Sequence, residues 1–131
     1  MSKKGWLKEF LPILDKETLM KKSSLELVEI CITKYRGMLS ENIQKHNLVI
    51  GDRRLNNSKG TEVVGVYSDH CPLCIVYSYV EDKGRCEGCP LDLADDCCLE
   101  RGSSWSKIDR VSDVDTNMMI GALENSKKFI K

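Results

Sequence analysis

Apolar side chains between Ser23 and Leu39 recur at three- and four-residue steps. Leu25, Val28, Ile32, Tyr35 and Leu39 form the stripe and Leu27 and Cys31 widen it, which predicts an amphipathic helix. Ser23 and Glu26 stand in the S-x-x-E spacing of a capping box: the serine oxygen accepts the N3 amide and the glutamate reaches back. Gly37 weakens this helix near its end without having to stop it. Upstream, Trp6, Leu7, Phe10, Leu11, Ile13 and Leu14 form a shorter apolar segment that Pro12 divides or kinks. The two segments are expected to pack as a helical hairpin, with both stripes serving as core and Cys31 as a small buried hydrophobe.

The pattern changes after residue 50. Residues 51–60 are polar and turn-rich, marking the boundary between a helical segment, 1–58, and a second segment, 59–131. Thr61 to Ser68 and Ile75 to Val80 are rich in β-branched residues and read as short strands. From Asp113 to Ile130 a helical period returns. Asp113 or Asp115 is the expected cap, Val114, Met118, Ala122 and Phe129 share a face, and Lys127, Lys128 and Lys131 suit the C-terminal dipole. The expected fold class is α+β: an N-terminal helical hairpin, a zinc-stapled β-hairpin and a closing C-terminal helix, together one compact unit.

Composition narrows the function. The 131 residues include 7 cysteines. That exceeds ordinary usage but falls short of the roughly 8–10% of a disulfide-stapled secreted mini-protein. No apolar stretch is long enough to span a bilayer, and Lys8 and Glu9 interrupt any secretory h-region. Reduced thiols in a cytoplasm are therefore expected. Reduced cysteines clustered in sequence point to metal or redox chemistry.

The cluster runs His70-Cys71-Pro72-Leu73-Cys74, eleven intervening residues, Cys86-Glu87-Gly88-Cys89-Pro90, then Cys97-Cys98. Each C-x-x-C offers two corners of a tetrahedron, and two such pairs on a short spacer converge on one zinc ion. Cys71, Cys74, Cys86 and Cys89 are the simplest ligand set for a structural Zn²⁺. His70, Cys97 and Cys98 remain as substitutes for one of the four, and an iron–sulfur cluster is not excluded by spacing.

Enzymatic readings fit less well. Val64 to Cys74 resembles the strand-to-active-site run of glutaredoxins, with a C-P-x-C dithiol. The residues after Cys74 read as strand where that fold needs a helix to lower the nucleophile's pKa. A zinc deaminase would need a His-x-Glu that is absent near His70. Four thiolates leave no open position on zinc for water, and no serine–histidine pattern suggests a triad. The chain is expected not to be an enzyme.

The run Cys-Pro-x-Cys, then Cys-x-Gly-Cys-Pro-Leu, then further cysteine and Trp105, resembles the small cysteine-motif proteins of bacteriophage genomes across about residues 70–105. That group is mostly of unknown activity. The resemblance implies a phage-type zinc-binding accessory protein acting in the host cytoplasm. The adjacent Cys97 and Cys98 depart from a plain four-cysteine version.

Charge separates two binding roles. The chain carries 20 basic and 20 acidic residues, net zero, but 81–101 alone holds seven acidic and three basic side chains. Zinc with four thiolates adds about −2, giving roughly −6 around the site, which repels phosphate. Nucleic-acid binding would have to use Lys3, Lys4, Lys8, Lys16, Lys21, Lys22, Arg53 and Arg54, which read as a solvated face and loop. Tyr67, Tyr77 and Tyr79 share strand parity, explained as one packed hairpin face rather than a stacking platform. The sequence thus predicts a regulator or inhibitor that binds a protein partner, with nucleic acid as the alternative and dithiol redox chemistry as the second. Neither the partner nor the oligomeric state follows from it.

Overall fold

The computed structural model describes residues 2–13, 15–46, 48–51, 54–56, 62–65, 72–77, 89–94 and 113–130. Helix α1, Ser2–Phe10, ends two residues before Pro12, whose missing amide cannot continue the ladder. It buries Trp6 and Phe10, and Leu11 just beyond its end is buried too. The single turn α2, Lys16–Met20, opens at Asp15, whose carboxylate accepts from the Thr18 amide at 2.9 Å and from the Thr18 hydroxyl.

Helix α3, Ser24–Arg36, is the centre of the molecule. Its capping box is complete: Ser23 Oγ accepts from the Glu26 amide at 3.1 Å, and the Ser23 amide donates to Glu26 Oε1 at 3.1 Å. Leu27, Val28, Cys31, Ile32 and Tyr35 are buried, and so is Lys34, whose Nζ lies 5.0 Å from the Tyr35 ring centroid in cation–π contact. So wide a buried face exists because α1 and two later helices pack against α3. Leu25, expected on the core stripe, is instead 47% exposed.

The helix stops at Gly37 because α1 crosses there. Trp6 Nε1–H donates to the Gly37 carbonyl at 2.9 Å, and a Cβ on Gly37 would lie 2.5 Å from Phe10 Cγ. After a turn, α4 covers Ser40–Lys45. Three short strands follow: β1 (Val49–Gly51), β2 (Arg54–Asn56) and β3 (Glu62–Gly65), an antiparallel sheet in that order. Ile50 pairs with Leu55 and Leu55 with Val64, and the register shifts between Leu55 and Asn56.

Helix α5 (Pro72–Tyr77) packs on α3 and α2, and α6 (Pro90–Leu93) on α7 (Asp113–Ser126). Helix α7 lies along α3 and closes in a 3₁₀ turn, Lys127–Phe129. The two long helices run antiparallel: Glu29 pairs with Lys127, Arg36 with Glu124 at 3.8 Å, and Ser40 meets Asp113. Lys127 also reaches Glu124 at 2.9 Å, so both glutamates hold its ammonium pKa above the ordinary lysine value. One core joins Trp6, Phe10, Leu27, Ile32, Tyr35, Leu73, Leu91, Met119 and Leu123, from both sides of position 58.

The architecture corrects the expected fold class. The described residues are predominantly helical, and no zinc-stapled β-hairpin is among them. The segment expected as a strand after Cys74 is helical through Tyr77, and among the described residues β3 pairs with β2. Local β preference in Ile75-Val76-Tyr77 is outweighed by Pro72, pre-set for the first position of a helix, and by burial of Leu73 against α3. Residues 78–80 of that expected strand lie outside the described residues.

The C-terminal helix forms where expected, but a different face is buried. Thr116, Met119, Leu123 and Ser126 point inward, Met118 and Ala122 are half-buried, and Val114 and Phe129 are 79% and 44% exposed. The 3₁₀ turn, at three residues per turn, takes Phe129 off the α-helical phase.

Candidate functional site

Of the four expected zinc ligands, Cys74 and Cys89 fall within described segments, while Cys71 and Cys86 lie outside the described residues, as do His70, Cys97, Cys98 and Trp105. Cys74 sits in α5. Cys89 immediately precedes α6, is 5% exposed, and belongs to the central core. Its carbonyl accepts from the Leu93 amide at 3.0 Å, and the Pro90 carbonyl accepts from the Ala94 amide at 3.1 Å, which closes the short helical turn.

These two places share a construction. Cys71-Pro72-Leu73 and Cys89-Pro90-Leu91 repeat the same tripeptide, and each proline is the first residue of a short helix. Each following leucine is buried, Leu73 at 1% and Leu91 at 2% exposure, and both prolines are buried too. The repeated Cys-Pro-Leu was visible in the sequence, but its meaning as a helix-opening corner was not, because the stretch after the first copy carries β-branched side chains. Helices of six and four residues are well below the length at which a helix persists alone in water. Their position depends on what they are fastened to.

Two fastenings are in view. Leu73 and Leu91 anchor the corners in the core. At the other end of α5, the Tyr77 hydroxyl and Ser24 Oγ are hydrogen-bonded at 2.8 Å, tying α5 to the first turn of α3. Tyr77 thus serves as a helix tether and not as one of three aromatics along a strand; Tyr67 and Tyr79 lie outside the described residues. Among the described residues no group of three or more metal-ligating side chains comes together.

Electrostatic clusters stand elsewhere. Glu9 accepts from Lys45 Nζ at 2.9 Å and pairs with His46 Nε2 at 2.7 Å, linking α1 to the end of α4, and these bonds hold its carboxyl below the ordinary glutamate range. The His46 ring meets Phe10 edge-on at 5.8 Å. Asp113, expected with Asp115 as one of two candidate caps of its own helix, reaches across to α4. Its Oδ1 accepts from the Ser40 amide and its Oδ2 from the Ser40 hydroxyl, both at 2.8 Å, and this lowers its pKa. Residue 39, the N-cap of α4, is a leucine with nothing to offer the first amides, so a residue 73 positions beyond Ser40 supplies the acceptor.

Of the basic residues that nucleic acid would need, Lys8, Lys16 and Lys21 are exposed and Lys22 is half-buried. Arg53 lies outside the described residues, and Lys3, Lys4 and Arg54 are described in backbone only. No helix among the described residues is long and apolar enough to cross a membrane. No protein-family model matches the chain, and neither a curated protein nor a solved structure matches it.

Proposed function

We propose that this chain is a non-enzymatic, zinc-stapled binding protein in which Cys71, Cys74, Cys86 and Cys89 hold one structural Zn²⁺ and the helical body docks a protein partner. The observation that carries the reading is the pair of Cys-Pro-Leu corners. Each opens a helix too short to stand alone and plugs one leucine into a common core, with Cys74 inside the first of these helices and Cys89 directly before the second. A tetrathiolate ion cross-linking the corners would supply the order that so little helix cannot supply for itself.

The donor chemistry fits. Two C-x-x-C pairs provide four soft ligands and a closed tetrahedral shell, which suits a structural metal and leaves no position for a substrate. A regulator or inhibitor of a host protein is the role that the resemblance to phage cysteine-motif proteins suggests. Nucleic acid remains the less favoured partner, given the acidic balance of 81–101.

Metal analysis of protein purified without added zinc, with a thiol count on the native state, tests this. One zinc per chain with four thiols protected until a chelator is added is the expected result, and Cys71→Ser or Cys86→Ser should lower the metal ratio and the melting temperature together. A metal-free protein, a native thiol count that a chelator leaves unchanged, or disulfides between these cysteines sinks the proposal; Cys31, buried in the core, is protected with or without metal.

One observation favours the dithiol reading. A helix begins at Pro72, directly after Cys71, where the C-P-x-C resemblance to glutaredoxins requires one. That helix has six residues, and the described strands pair only antiparallel, without the βαβ unit expected around a redox C-x-x-C. Disulfide reductase turnover by the zinc-free protein, abolished by Cys71→Ser, would establish it over the zinc reading.

A further inference from the structure

Helix α5 carries Cys74 and has little helical stability of its own. It is six residues long, well under the roughly 12 that a helix needs to persist in water, and the β-branched Ile75 and Val76 weaken it further. Two contacts at its ends seat it. Leu73, at 1% exposure, enters the core directly behind Pro72. Tyr77, the last residue, shares a half-buried hydrogen bond of 2.8 Å with Ser24 Oγ, 53 residues earlier in the chain.

These contacts lie on one line. Leu73 and Tyr77 stand at i and i+4, the spacing that puts both on one face of a helix, and α5 packs on α3 and α2. Cys74 falls between them, so how firmly its backbone is placed depends on both. Ser24 is a fixed anchor: it is the first residue of α3, directly after the Ser23 cap. The second corner is built differently. Cys89 is itself immersed in the core, and α6 behind it packs on α7 and the 3₁₀ turn.

We propose that the Ser24–Tyr77 hydrogen bond is a positioning contact for the zinc site. It keeps α5 seated on α3 in the metal-free chain, so that Cys74 is already placed when the ion arrives, and the seated fraction sets the apparent zinc affinity. The inference rests on the staple reading and deepens it, naming two residues outside the thiolate shell that tune it. Linkage makes the effect mutual, since occupancy at Cys74 favours the Ser24–Tyr77 bond by the same factor as the bond favours occupancy. A bond that served the fold alone would support metal-free and loaded chains equally and leave zinc affinity untouched.

The test measures zinc affinity of the full chain, under reducing conditions, by competition with a chromophoric chelator. Tyr77→Phe keeps the ring and removes the hydroxyl, and Ser24→Ala removes its partner at a position that suits alanine. Each should weaken zinc binding by about three- to tenfold, the net effect of one hydrogen bond. The double substitution should weaken it no further, because the same bond is lost in all three variants. Hydrogen exchange at the Val76 and Tyr77 amides, which follow Pro72 and Leu73 by one helical hydrogen bond, reads the same equilibrium. In the metal-free chain both variants should exchange faster by a similar factor, and zinc should slow exchange in each. Unchanged zinc affinity in both variants, a loss in only one of them, or losses that add in the double substitution overturns the inference. The two proposals fail differently: a wild-type chain that holds no zinc loses the staple and this contact together, whereas a loaded wild type indifferent to both substitutions loses the contact alone.

Discussion

Gly37 has little freedom to become anything else. Its carbonyl accepts the Trp6 indole and its Cα sits against the Phe10 ring, so a methyl there meets Phe10 Cγ at 2.5 Å. Trp6 and Phe10 themselves pack at 5.6 Å between ring centroids, which leaves the ring little room to retreat. Gly37→Ala is expected to cost about 1–3 kcal/mol by overpacking, read as a lower urea midpoint with an unchanged slope. Gly121, on the exposed side of α7, is the control, since an added Cβ there meets nothing within 4 Å. Gly121→Ala should stabilise by about 0.5–1 kcal/mol through helix propensity and a less flexible unfolded chain. If the two substitutions shift the midpoint in the same direction, the close approach of α1 to Gly37 is wrong.

Helix ends are where the elements draw on ionised carboxylates. Asp15 caps α2, Glu26 completes the box on α3, Asp113 caps α4, and Glu9 ties α1 to α4. Each has a pKa below its ordinary value, 3.8 for aspartate and 4.5 for glutamate, chiefly through hydrogen bonds received by the charged form. Depressed carboxyl pKa values mean stability that is whole above pH 4.5 and is lost as pH falls through the folded-state values. Lys127 acts in the opposite sense: its contribution is whole below pH 10.5 and is lost as pH rises through its raised folded value. Urea midpoints measured across pH should therefore show a plateau with an acid limb, and Asp113→Ala should flatten that limb while lowering the plateau. An acid limb unchanged in Asp113→Ala would contradict the cap on α4. Ser23→Ala, which removes the serine half of the box and a hydrogen bond that helps to lower the Glu26 pKa, should cost about 1 kcal/mol on the plateau and less as pH falls through the Glu26 value.

Because α3 is shared by α1, α5 and α7, the cysteine-bearing corners and the N-terminal helices stand on one core. Leu73→Ala and Leu91→Ala should each cost about 2–5 kcal/mol by opening a cavity. In a Trp105→Phe background, Trp6 fluorescence and far-ultraviolet circular dichroism should then report one coincident transition, shifted together by either leucine substitution. Two separated transitions would divide the molecule near residue 58 instead. How much of this whole was legible beforehand follows from the range of the interactions involved. The capping box at Ser23, the stop before Pro12 and the helix from Asp113 depend on neighbours within four residues, so spacing was enough to find them. The state of residues 72–77, the buried face of α7 and the true partner of Asp113 were beyond any such window. Ile75 and Val76 favour a strand until Leu73 has α3 to pack against; apolar residues on two sides of α7 leave its rotation open until Met119 and Leu123 meet the core; and Ser40 lies 73 residues from the carboxylate that caps it. Local hydrogen bonding and proline geometry are written into short stretches of chain, whereas burial is settled by surfaces that meet only after the chain has folded back on itself.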